Sequence, residues 1–228
     1  MKTTALNMPL IRLLIGKDWQ LFEKQLAAYL IAAVVALCFL GLAKPWSFYV
    51  GSLLLIIVLV AVACFSISTS LLVERKEHTL AFIMSLPVSP LDFYVAKLLG
   101  NLITFLVPFC VIGMGALGVI LFTPLPDGLV VLTVLVLGHI VLAYSVSLGV
   151  AMAVESEGWN TFVMIASMVL INPFLMIIGQ ITAISSHFKG EDIVWSLPAL
   201  LILTTQVVLS VSVLLLTGWV HCRKKAFY

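Results

Sequence analysis

Glycine-rich and ionisable groupings are the first places to look for chemistry in this 228-residue chain, and a few stand out. Gly113-Met114-Gly115-Ala116-Leu117-Gly118 fits G-x-G-x-x-G, a pattern whose glycines let a backbone approach a pyrophosphate. That chemistry needs a strand before it and a helix opening after it. This stretch lies inside a long apolar run instead, so its small residues are expected to let neighbouring helices pack closely. The only Gly-Lys pair, Gly16-Lys17, is followed by Asp18 and lacks the upstream glycine of a phosphate-binding loop. The chain is therefore expected to bind no nucleotide itself. His139 is the one histidine within an apolar run, where an imidazole could relay a proton or ligate a metal. No Asp, Glu, Lys or Arg stands at the centre of any run, so a hydrogen bond to a neighbouring helix is its expected role. Asn101, Gln180 and Gln206 are read as interhelical hydrogen-bond partners or cavity lining. No Ser/His/Asp or metal-ligand constellation can be assembled, and the densest cluster of charge is Glu74-Arg75-Lys76-Glu77-His78.

The elements that must position these residues follow from composition. Hydrophobic residues make up 63% of the chain and charged ones 10%, with a formal net charge of +2 and a mean hydropathy of +1.24. A soluble domain is about 45–50% apolar and about 25% charged, so that class is excluded, as are disorder and a basic nucleic-acid-binding surface. Apolar runs at 26–43, 47–73, 95–122, 129–154, 161–184 and 193–220 each suffice for a helical span, which takes about 20 residues. The expected fold is an all-α polytopic membrane protein with six transmembrane helices in a single membrane domain over 1–228. Lys2, Arg12, Lys17, Lys24, Arg75, Lys76, Lys97, Arg223, Lys224 and Lys225 fall on one side, ten in all, against Lys44 and Lys189 on the other. The excess of basic residues marks the cytoplasmic side, so both termini are expected in the cytoplasm. Cys38, Cys64 and Cys110 lie in apolar runs, Cys222 lies at the basic tail, and none forms a C-x-x-C pair; burial as small hydrophobes is expected.

Lys17, Asp18, Glu23 and Lys24 interrupt the apolar core that a cleavable signal peptide would need. Helical spacing instead gathers Ile11, Ile15, Trp19 and Phe22 on one side, with Arg12, Gln20 and Glu23 largely opposite. That pattern predicts an N-terminal amphipathic helix lying in the lipid headgroup layer, with these four side chains as interfacial anchors.

The stretch 74–97 is not uniformly polar, as a simple connection would be. After the charged cluster comes a short amphipathic turn offering Leu80, Ile83, Met84 and Leu86 to one face, ended by Pro87. Ser89-Pro90-Leu91-Asp92 then reads as a helix start, with Ser89 as N-cap, Pro90 at the first helical position and Asp92 at the third. A helix over 90–122 would be about 50 Å long at 1.5 Å per residue, against about 30 Å of bilayer core. Its first turns should project beyond the membrane, holding a short coupling helix that could dock in a groove on a soluble partner.

Glu74-Arg75-Lys76-Glu77, Thr79-Leu80, Ser85-Leu86-Pro87-Val88-Ser89-Pro90 and then Lys97 resemble the signature of type 2 ATP-binding-cassette (ABC) exporter permeases. The expected architecture is similar too: interfacial helix, six spans, both ends inside, a short first external loop. The resemblance implies a non-catalytic subunit of the bacterial inner membrane that pairs with a second permease copy. It also implies a separate dimeric ABC ATPase, which holds ATP and magnesium and docks on Glu74, Arg75, Lys76, Glu77, Thr79, Leu80, Ile83, Met84, Leu86 and Pro87. No cofactor on this chain is implied. The family often carries re-entrant helices between spans five and six; here 185–198 is short and polar, so any such element must be small. Asn172-Pro173 is expected to break span five. The apolar spans suit a hydrophobic or amphipathic substrate. Two other readings share the hydropathy: a non-transporting interaction, immunity or assembly factor, and an ion-coupled secondary transporter, for which intramembrane carboxylates are missing.

Overall fold

The computed structural model describes residues 8–72, 90–154 and 156–223. Every regular element among them is a helix. α1 runs Met8–Gly41 and α2 Pro45–Ile67, continuing as a π-helical turn over Ser68–Leu72. After the undescribed 73–89 come α3 (Pro90–Phe122), α4 (Leu129–Ala153), α5 (Glu157–Val169), α6 (Ile171–Gln180), the single turn α7 (Thr182–Ser185) and α8 (Leu197–Arg223). Six stretches are long and apolar enough to cross a membrane: Phe22–Gly41, Pro45–Leu71, Tyr94–Phe122, Leu129–Ala153, Glu157–Gln180 and Leu197–Val220. The chain is a multi-pass membrane-helix protein.

The helix expected over 90–122 is present with those bounds, 33 residues in length, with Asp92 in its first turn where a carboxylate favours the helix dipole. It absorbs Pro108 without ending. Other boundaries differ from expectation, the fifth span lying at Glu157–Gln180 and not 161–184. α1 is one uninterrupted helix of 34 residues, so the amphipathic stretch and the first span are continuous and not two elements. α8 starts at Leu197 and not near 193, because Pro198 suits a helix's first turn and 193–196 is non-helical.

The most extensive packing is of α1 on α2 and α3, and of α8 on α4. The α1–α2 crossing is set by Gly51, where a Cβ would lie 2.7 Å from the backbone nitrogen of Leu40 and 2.9 Å from the carbonyl oxygen of Ala36. Two backbones meet there, which only a missing side chain permits. The connecting turn places Ala43 at φ 50°, and Ser47 closes it by accepting from the Lys44 N–H (3.2 Å) and donating to the Lys44 carbonyl (3.0 Å). Across the bundle, α8 lies along the face of α4 that carries Gly138 and Gly149; added Cβ atoms there would meet Gln206 Oε1 at 2.4 Å and Thr217 Oγ1 at 2.9 Å. The glycines of the 113–118 motif are filled by side chains and not by backbone: Leu37 packs into Gly115 and Leu137 against Gly113, while Gly118 faces open space.

Cys38 and Cys110 are exposed and Cys64 is partly so, contrary to the expected burial. In a bilayer the outer surface of a bundle is as apolar as its interior, so hydropathy does not separate the two.

Span five is broken, as Asn172-Pro173 predicts. α5 ends at Val169 and α6 begins at Ile171, since Pro173 has no N–H for the Val169 carbonyl and its ring crowds that oxygen. Beyond α6 the chain makes α7 and a series of turns before α8. This connection is pinned to the α3–α4 loop: Gly128 N–H donates to the Gly190 carbonyl at 3.1 Å. A Cβ on Gly128 would sit 1.8 Å from the His187 carbonyl oxygen.

Candidate functional site

Apolar spans reveal their working positions where they keep polar groups, and one cluster stands out at the end of the bundle bearing 73–89. Asn101 on α3 is 1% exposed and fully engaged. Its amide nitrogen donates to Ser70 Oγ at 3.0 Å and to the Lys97 carbonyl at 2.9 Å. Ser66 Oγ donates toward Asn101 Oδ1 at 3.2 Å and toward the Asn101 backbone carbonyl at 3.3 Å. Tyr144 on α4 donates its hydroxyl to the same carbonyl at 2.8 Å. Its ring stacks on Phe105, centroids 3.8 Å apart and planes 16° from parallel. Water is absent from a bilayer core, so each of these groups must find its partner inside the protein. The cluster therefore ties α2, α3 and α4 at one point.

Local sequence explains the shape of that point. Ser66 and Ser70 are four residues apart and share one face of α2, as Lys97 and Asn101 do on α3. Between the serines the helix widens into its π-helical turn. There the Thr69 hydroxyl bonds to the Phe65 carbonyl, and the Ser68 N–H is shared between the carbonyls of Cys64 and Phe65. A hydroxyl that takes an i−4 carbonyl competes with the regular ladder, and single π-helical turns are rare and gather at functional sites. Asp92, Tyr94 and Lys97 are also buried in the lower turns of α3.

The expected coupling residues, Glu74, Arg75, Lys76, Glu77, Thr79, Leu80, Ile83, Met84, Leu86 and Pro87, lie outside the described residues. Their flanks do not: the stretch leaves the π-helical turn of α2 and returns into α3, and both flanks are bound to Asn101. Of the expected anchors, Ile11 and Phe22 are buried inside the protein, while Ile15 and Trp19 are half-buried. Phe22 meets Phe65 edge-on with centroids 5.5 Å apart, and Trp19 packs on the same core. The apolar side of this stretch is thus largely occupied by neighbouring helices.

A second polar locus lies between α4, α6 and α8. His139 stacks on Phe174 with centroids 4.4 Å apart and planes 14° from parallel. Gln206 donates its amide to the Leu135 carbonyl at 3.2 Å, the interhelical bond expected of it. Both line a cleft of about 310 Å³. Gln180, by contrast, is exposed at the end of α6 and joins no helices. Among the described residues no three metal-ligating side chains come together.

Asn101 is legible in the sequence as an interhelical group; Ser66, Ser70 and Tyr144 are not. The available signal was the i, i+4 pairing of small hydroxyls in an otherwise aliphatic span. No family model matches the chain, and no curated protein or solved structure matches it either.

Proposed function

We propose that the chain is the permease subunit of an ABC exporter. It sits in the bacterial inner membrane with both termini cytoplasmic and moves a hydrophobic or amphipathic substrate. A separate ABC ATPase, closing as a dimer on ATP, docks on residues 74–90, and a second permease copy completes the pathway. The N-terminal turns of α1 continue the first span as the same helix into the cytoplasmic headgroup layer, with Ile15 and Trp19 half-buried there.

One observation carries this reading. The stretch that resembles the family's coupling segment is suspended between two long helices, and the Asn101 cluster fastens both of its flanks to a third. α3, with 33 residues, is about 50 Å long and exceeds a bilayer core of about 30 Å. A push delivered at 74–90 would move the ends of α2 and α3 together and reach α4 through Tyr144. A free loop, or one hung on a single helix, would dissipate it.

Purification from the native host tests the proposal: an ATPase subunit should accompany the chain. Charge reversal at Glu74 or Glu77, or Leu80→Asp, should abolish that association while the protein still inserts. Variants that keep both ATPase binding and transport would show the docking segment to be wrongly assigned.

A further inference from the structure

The cleft between α4, α6 and α8 combines an apolar wall with two polar atoms that have no partner. Gln206 is 4% exposed; its nitrogen is spent on Leu135, and its Oε1 is buried and unbonded. His139 Nε2, in the same lining, is likewise buried and unbonded. Unpaired groups at membrane depth are costly, and buried polar groups are nearly always satisfied. Gly138 makes the room for this arrangement, since a Cβ there would come within 2.4 Å of Gln206 Oε1.

The lining holds no carboxylate, ammonium or guanidinium, so an ionised headgroup would find no counter-charge. Thr205 already donates its hydroxyl to Leu201 at 2.7 Å and can only accept. Gln206 Oε1 is likewise an acceptor, and a neutral imidazole offers one lone pair or one N–H at Nε2. The cleft thus lacks a donor more than an acceptor, and Leu142 and Leu209 supply apolar contact beside it. Its volume of about 310 Å³ lies at the small end of ligand sites.

We propose that this cleft binds a small neutral amphiphile whose hydroxyl pairs with Gln206 and His139 while its hydrocarbon body lies along α8. Phe174, stacked over His139, covers the imidazole. It is carried by α6, ten residues long and separated from α5 by the proline break. A small swing of that half-helix uncovers His139 to the incoming hydroxyl. Binding requires only that the chain sit in a membrane, so it can fail while the ATPase partnership holds, and the reverse.

The test uses the full chain in lipid nanodiscs with a medium-chain primary alcohol bearing a diazirine. Photolabel should fall on peptides containing His139 to Leu142 and Leu201 to Leu209. Unlabelled alcohol should compete about fivefold better than its methyl ether, the difference expected from one hydrogen-bond donor. Gly138→Ala, which displaces only the Gln206 amide, and His139→Phe should erase that preference and leave ether competition intact. Leu142→Trp should fill the cleft and remove labelling by both. Equal competition by alcohol and ether in the unaltered chain, or label scattered over all spans, would overturn the proposal.

Discussion

Asn101 on the third span donates its amide to the hydroxyl of Ser70, 3.0 Å away, within the one turn of the second span that has a π-helical pitch. The contact joins the last described turn before residues 73–89 to the helix that follows them. With Ser66 on the same side chain and Tyr144 on the same residue's carbonyl, three spans share one fixed point. A proline at the start of α3 and a distorted turn at the end of α2 thus frame a segment whose two flanks cannot drift apart independently.

Removal of the Asn101 side chain should be costly for a residue with no charge. Asn101→Leu eliminates three side-chain hydrogen bonds, each worth about 0.6 kcal/mol on average within a membrane, for a total of about 2 kcal/mol. Ser66→Ala and Ser70→Ala should each cost about 0.6 kcal/mol alone; in the Asn101→Leu background Ser70→Ala should cost nothing further, and Ser66→Ala only its remaining bond to the residue-101 backbone carbonyl. Denaturant titration in mixed micelles measures both. Additive serine and asparagine effects would mean that the three do not act as one cluster.

Gly51 should tolerate no side chain. Gly51→Ala places a methyl against the backbone of Leu40 and Ala36, which cannot rotate away, so overpacking of about 1–3 kcal/mol is expected despite the better helix propensity of alanine. Gly118→Ala is the internal control: nothing lies within 4 Å, and the change should be neutral or slightly stabilising. Equal melting behaviour of the two variants would contradict the crossing geometry.

The clasp at the opposite end rests on Gly128. Gly128→Ala must separate the α3–α4 loop from the stretch around His187, because the new methyl would overlap the His187 carbonyl and the bond to Gly190 would be lost. Trypsin cleavage after Lys189 should then accelerate several-fold, while the six-span core melts close to its original temperature. Unchanged cleavage at Lys189 would show that the loops are held by something else.

The chain's one-dimensional pattern determined a good deal. Run length and hydropathy fixed six helical spans; Ser89-Pro90 and Asp92 marked where α3 starts, and Asn172-Pro173 marked the break in span five. Each is a local rule, in which backbone donors, ring sterics or the length of an apolar stretch act within a few residues. Only the tertiary structure decided which faces of those helices meet. It turned Ile11 and Phe22 inward and Cys38 and Cys110 outward, ran the amphipathic stretch into the first span as one helix, and brought Ser66, Ser70, Asn101 and Tyr144 together. The reason is physical: lipid tails are as apolar as leucine, so hydrophobicity says that a helix enters the membrane but not which side looks at protein. That choice falls to glycine notches and hydrogen bonds between residues distant in sequence, and these exist only once the helices have packed.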